Sequence, residues 1–156
     1  MKVLVVVVGK VRGTLVEAVA EYEKRAGRYW KLDVVEVGAG AGSGQAPAER
    51  VMEAEAERIL ARIPDGLEVV ALTRVGKAMG SRELAGYLED HAVRSSAGVA
   101  FVIGGAFGLG TSVLKKATRK LSLSTLTLPH EMARLLLAEQ LYRAGTLMRG
   151  EPYHKA

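Results

Sequence analysis

Two apolar runs without a polar interruption limit what this chain can become. Val3–Val8 and Val99–Ile103 are built almost wholly from β-branched, aromatic and aliphatic residues. A strand with one face in water alternates apolar and polar side chains, so runs like these belong to strands covered on both faces, as in a parallel sheet between helices. Gly9 follows the first run, and Gly104, Gly105, Gly108 and Gly110 follow the second. Glycine allows tight turns and close backbone approach, and the C-terminal edge of a parallel sheet is where ligands settle. A tight turn that needs glycine only for its geometry is the alternative reading of this cluster.

The remaining segments fit between such strands. Thr14-Leu-Val-Glu17 matches a capping box, and Leu15, Val19, Tyr22 and Ala26 continue at helical spacing to about Tyr29. Leu32–Val37 reads as a strand and Gly38–Ala46 as a flexible loop. Pro47 stands in the first turn of a helix whose apolar face holds Val51, Ile59, Leu60 and Ile63. A third strand covers Leu67–Thr73, a loop covers 73–80, and Ser81 caps a helix to about Val93. After the glycines, leucines at 121 and 123 and then at 126 and 128 change phase at Ser124–Thr125. A strand does not change faces, so a break is expected there. Pro129 opens a long helix to about Met148, and nothing local orders the polar tail 150–156. The expectation is one α/β domain over 1–156, a mostly parallel sheet flanked by helices.

Several chemistries drop out. There is no cysteine, and His91, His130 and His154 form no pair at metal-ligand spacing, so no metal site is expected. No G-x-S-x-G is present for a serine nucleophile. Gly105–Ser112 has P-loop spacing with Thr111 where the lysine belongs, and the dinucleotide fingerprint G-x-G-x-x-G is absent. Val3–Val8 is too short to cross a membrane and has no cleavage site behind it, so a cytoplasmic chain is expected. The net charge of +5 is uneven: residues 111–156 hold 8 Lys and Arg against 3 acidic residues, and the rest balances. Lys115, Lys116, Arg119 and Lys120 are therefore the expected nucleic-acid-contacting cluster, against the plainer reading of a solvated helix end.

His91 reads as a solvated group on a surface helix. His130 lies beside the phase break at a helix start, where the neutral imidazole is favoured. The loops 73–80, 104–110 and 122–127 all follow strands and converge on one crevice. They offer backbone and apolar groups, which suits a zwitterionic adenine-bearing ligand better than a triphosphate.

SLSTLTLPHEMARLLLAEQLYRAG, the terminal PYHK, IGGAFGL, LTRVGK, and VGK with EYEKR near the start together resemble the ribosomal large-subunit pseudouridine methyltransferase H family. That family belongs to the SPOUT, or α/β-knot, methyltransferases, and the resemblance runs from Val8 to Lys155. It implies a homodimer that uses S-adenosylmethionine to methylate N3 of a pseudouridine in 23S ribosomal RNA on assembled ribosomes. It also implies a trefoil knot in about 67–149. The cofactor site it implies comprises Leu72, Thr73, Gly76, Gly104, Gly105, Gly108, Leu123, Ser124, Thr125, Leu126, Thr127 and Leu128. Thr73 departs from the acidic residue many relatives carry. His130, Arg134, Tyr153 and His154 are the candidates for base or anion stabiliser, Tyr153 and His154 from a tail near the partner subunit's cofactor. The rival reading is a non-catalytic RNA- or ribosome-binding protein of the same fold.

Overall fold

The computed structural model describes residues 1–42, 44–94 and 96–155. The elements follow in the order β1 (Lys2–Val8), α1 (Leu15–Ala26), β2 (Lys31–Val37), α2 (Ala48–Leu60), β3 (Glu68–Ala78), α3 (Ser81–Val93), β4 (Gly98–Ile103), α4 (Thr111–Lys116), β5 (Arg119–Ser122) and α5 (His130–Met148). The five strands form one parallel sheet in the order β2-β1-β4-β3-β5.

The two unbroken apolar runs occupy its centre. Alternate residues point to opposite faces. Val3, Val5, Val7, Val99, Phe101 and Ile103 meet Leu84 and Leu88 of α3 and Leu137 and Leu141 of α5. Leu4, Val6, Val8, Ala100 and Val102 meet Ile59 of α2 and Val113 of α4. Both faces are thus closed, and every residue of β4 is buried.

Four local expectations change. Thr14 is already in α conformation and makes no side-chain cap, because the Val16 amide donates to the Gly13 carbonyl and starts the turn earlier. Ser81 lies inside α3, Gly80 holds the cap position, and the Ser81 hydroxyl donates instead to Gln140 Oε1 at 2.6 Å. Pro47 and Pro129 stand just before their helices rather than within the first turn. His91 is not solvated: its Nε2 pairs with Glu68 at 2.5 Å and its ring packs edge-on against Tyr87 at 4.7 Å.

The tail is held by contacts far away in sequence. Tyr29 donates to the Glu151 carboxylate, Tyr153 donates to Glu139 Oε2 at 2.8 Å, and Arg143 Nη1 lies 3.1 Å from His154 Nδ1. The Tyr142 and Tyr153 rings cross at 4.5 Å.

Gly145 shows how closely α1 and α5 meet. A Cβ there would overlap the Tyr29 side chain where the ring joins its Cβ. Alanine in a helix interior normally stabilises by about 1 kcal/mol over glycine. Here overpacking reverses the sign, and Gly145→Ala is expected to cost about 2 kcal/mol in urea unfolding; a stabilised variant would contradict this packing.

Candidate functional site

The defining irregularity is in β3. Leu72 pairs with Leu121 of β5, and so does Lys77, so the four residues 73–76 have no ladder partner in β5. Extra residues in one strand bend it and open the ladder. The expected loop at 73–80 is therefore a strand to Ala78 with its break inside. Gly76 makes the second pairing possible, since a Cβ there would stand 2.8 Å from the Lys120 carbonyl carbon and oxygen.

A cavity of about 390 Å³ opens where the chain bows out. One wall is Leu72 to Val75, a second is Ile103 to Leu109, and a third comes from residues 123–128, with His130 and Ala133 of α5 closing it. The three expected loops do converge. Leu72, Thr73, Gly104, Gly105, Gly108, Leu123, Ser124, Leu126, Thr127 and Leu128 all line the cavity; Gly76 and Thr125 do not. Gly76 is taken up in packing against β5, and Thr125 is exposed at the turn.

Gly105 is constrained from below as well as from the cavity. A Cβ there would lie 3.0 Å from both Glu55 Oε1 and a Val8 methyl. Glu55, on α2, is 3% exposed; its Oε2 accepts the Gly40 amide at 2.8 Å, and its Oε1 has no partner among the described residues. Nothing in the α2 sequence separates this glutamate from its solvated neighbours except its place on the apolar face beside Ile59. Arg74 is a cation in the cavity wall whose only sequence signal is its place between Thr73 and Gly76 in the 73–80 segment.

His130 Nε2 lies 3.3 Å from the Lys10 carbonyl oxygen. A carbonyl only accepts, so Nε2 is the donor in this contact, and Nδ1 has no hydrogen-bond partner among the described residues. The other three candidates are elsewhere. Arg134 is buried, its Nε 2.7 Å from Glu23 and its Nη1 2.6 Å from Glu36. Burial opposes its charge, but the hydrogen bonds to the two carboxylates outweigh that and keep it firmly cationic. Tyr153 and His154 sit on the flank of α5 at Glu139 and Arg143. Burial, then the bond to Glu139, raises the Tyr153 hydroxyl well above the usual phenol range, so it is a donor and not a base at neutral pH.

The basic cluster 115–120 runs from the end of α4 into the first half of β5, whereas the cavity opens beyond the end of that strand. Lys115, Lys116 and Lys120 are exposed. Arg119 is not free: its guanidinium lies 4.6 Å over the Tyr87 ring. Among the described residues no group of His, Asp or Glu is arranged to hold a metal, and no helix is long and apolar enough to cross a membrane.

The model of the family described as "Predicted SPOUT methyltransferase" matches residues 1–154. The chain belongs to the SPOUT methyltransferases, within the ribosomal RNA large subunit methyltransferase H family. It is 50% identical to the Gemmatimonas aurantiaca protein of that name, over 99% of this chain and 100% of the relative. It is 45% identical to the Listeria monocytogenes protein of the same name, with the same coverage. In fold it is similar to a solved methylase family protein from Neisseria gonorrhoeae, at a TM-score of 0.58 and 16% identity, over 99% of this chain and 88% of that one.

In this family member Arg134 is placed as a structural cation rather than at the cavity. Removing it strands two partly buried carboxylates. Arg134→Met is expected to lose about 3 kcal/mol of stability in a urea titration; an unchanged midpoint would show the pair to be dispensable.

Proposed function

We propose that the chain transfers a methyl group from S-adenosylmethionine to N3 of a pseudouridine in 23S ribosomal RNA, position 1915 in the usual numbering, on the assembled ribosome. The observation that carries this is the cavity at the β3 interruption, walled by the glycine turn and residues 123–128, with His130 beside it. Its size is in the range of small-molecule sites. Its walls are mostly apolar side chains and glycine backbone, with Thr73, Ser124 and Thr127 as hydroxyls and Arg74 as a cation. A polyphosphate asks for more positive charge than that. An adenosine joined to a zwitterionic amino acid asks for apolar walls, backbone groups and a few hydroxyls, so the residues present fit S-adenosylmethionine.

When bound, that cofactor supplies a methyl group on a positively charged sulfur. N3 of the base must release its proton as the new nitrogen–carbon bond forms. His130 is the group assigned to take it, because its Nε2 is committed to the Lys10 carbonyl and its Nδ1 can accept. Leu72, Ile103 and Leu123 give the cavity apolar lining. The same reading includes a trefoil knot over about 67–149, supported by residues 123–128 lying against both 72–75 and the turn after β4. It also includes a homodimer, supported by the exposed Leu126, Met132 and Leu136 at and beside the cavity. Tyr153 and His154 are then assigned to the partner's site, as the resemblance implies. The predicted setting is the cytoplasm.

The test uses 70S ribosomes that lack the modification, labelled S-adenosylmethionine, and mass analysis of digested 23S RNA. One added methyl on the pseudouridine is expected; cofactor binding and ribosome binding without transfer would instead support the non-catalytic reading. His130→Ala is expected to lower the transfer rate by about 10²- to 10⁴-fold with cofactor affinity retained. Ala106→Trp, a substitution on an exposed part of the cavity wall, is expected to abolish cofactor binding by calorimetry while the fold persists. Wild-type affinity in that variant would move the cofactor elsewhere.

A further inference from the structure

The cations best placed to hold a polyanion over the cavity are not those that stand out in the sequence. Residues 1–110 are neutral in sum, yet three of their cations stand on segments that border the site. Lys10 and Arg12 follow β1, where the Lys10 carbonyl meets His130 Nε2 at 3.3 Å and the Arg12 amide donates to Glu131 Oε2 at 3.0 Å. Those two contacts fix the backbone of the 10–12 segment to the start of α5, beside the His130 wall. Arg74 stands on the β3 side of the same cavity. All three residues are exposed, and among the described residues none of the three side chains has a carboxylate within salt-bridge distance.

An aromatic ring completes the arrangement. Phe107, in the turn after β4, lines the cavity and is 55% exposed. Unpaired cations beside an exposed ring are what a single-stranded nucleic acid requires: charge for its phosphates and a face on which a base can stack. The basic cluster 115–120 lacks this setting. It lies at the end of α4 and the start of β5, with Arg119 stacked on Tyr87.

We infer that Lys10, Arg12 and Arg74 form the phosphate-binding rim for the RNA substrate, with Phe107 as the stacking face that guides the target base toward His130. The inference rests on the RNA-methylation reading and names the surface through which that reading works. The rim places its three charges on two sides of the cavity, so one strand of RNA crosses the mouth and presents a base between them. Lys115, Lys116 and Lys120 then contribute solubility and not substrate contact.

Two triple variants with equal loss of charge separate these alternatives. One carries Lys10→Ala, Arg12→Ala and Arg74→Ala; the other carries Lys115→Ala, Lys116→Ala and Lys120→Ala. Binding to 70S ribosomes lacking the modification is measured from low to moderate salt. The rim variant is expected to lower the slope of log affinity against log salt by about two to three. The distal variant is expected to keep the wild-type slope. A separate Phe107→Ala chain is expected to weaken binding at every salt concentration without changing the slope, since stacking releases no counterion. A distal variant that loses the slope while the rim variant keeps it would overturn the inference and return the contact to residues 115–120. Equal slopes in all chains would overturn it as well. Failure of the methylation reading is distinguishable: the wild-type chain would then label no ribosomal RNA, whatever the slopes.

Discussion

The pairing of Leu121 with two residues of the same strand, Leu72 and Lys77, is the constraint on which the site depends. A regular β3–β5 ladder would run closed to the end of β5 and leave no space beyond it. By pairing, bowing out for four residues and pairing again, β3 holds the cavity open between two fixed points. The bow also exposes Arg74 and Val75, so one irregularity makes both the floor of the site and part of its rim. Gly76 is the residue that allows it, because the chain there passes too close to the Lys120 backbone for any side chain. The opposite wall has a matching constraint: Gly105 rests on the buried Glu55 and on Val8, so the turn after β4 is supported by the core.

The rest of the chain holds these walls still. Both faces of β1 and β4 are closed by helices, and α5 carries His130 at its first residue and the anchors of the tail near its other end. The buried Trp30 indole donates to the Leu141 carbonyl at 2.8 Å, and Arg134 bridges α5 to Glu23 on α1 and Glu36 on β2. These bonds set the position of α5 against the sheet, and so the position of His130 against the cavity. Charge follows the same logic. Arg134 counts toward the basic final third of the sequence, but its partners lie in the neutral part, so this cation adds nothing to the free charge of that third.

Much of the architecture was legible. The unbroken runs at 3–8 and 99–103 announced a sheet covered on both faces, and the phase change at Ser124–Thr125 announced the end of β5. Most of the cavity wall could be named because strand ends in a parallel sheet converge, and because the motifs around 123–130 resemble a known family. What stayed hidden depends on distance in three dimensions. The double pairing of Leu121 needs two strands to be seen together. Glu55 reads as an ordinary glutamate of an amphipathic helix until the Gly40 amide is found on it. Arg134 looked like a candidate for chemistry because its two carboxylates lie 111 and 98 residues away. The tail looked loose for the same reason, since Tyr29 and Glu151 are 122 residues apart.

The most direct measurement is a titration of the isotope-labelled chain with S-adenosylmethionine, followed by backbone amide resonances. If the cavity at the β3 interruption holds the cofactor, the large shifts will gather in three short segments: Leu72–Val75, Gly104–Leu109 and Leu123–Leu128, with His130 moving alongside them. Residues of α2 and the cluster 115–116 should move little. Shifts centred on another face, or none at saturating cofactor, would contradict the account.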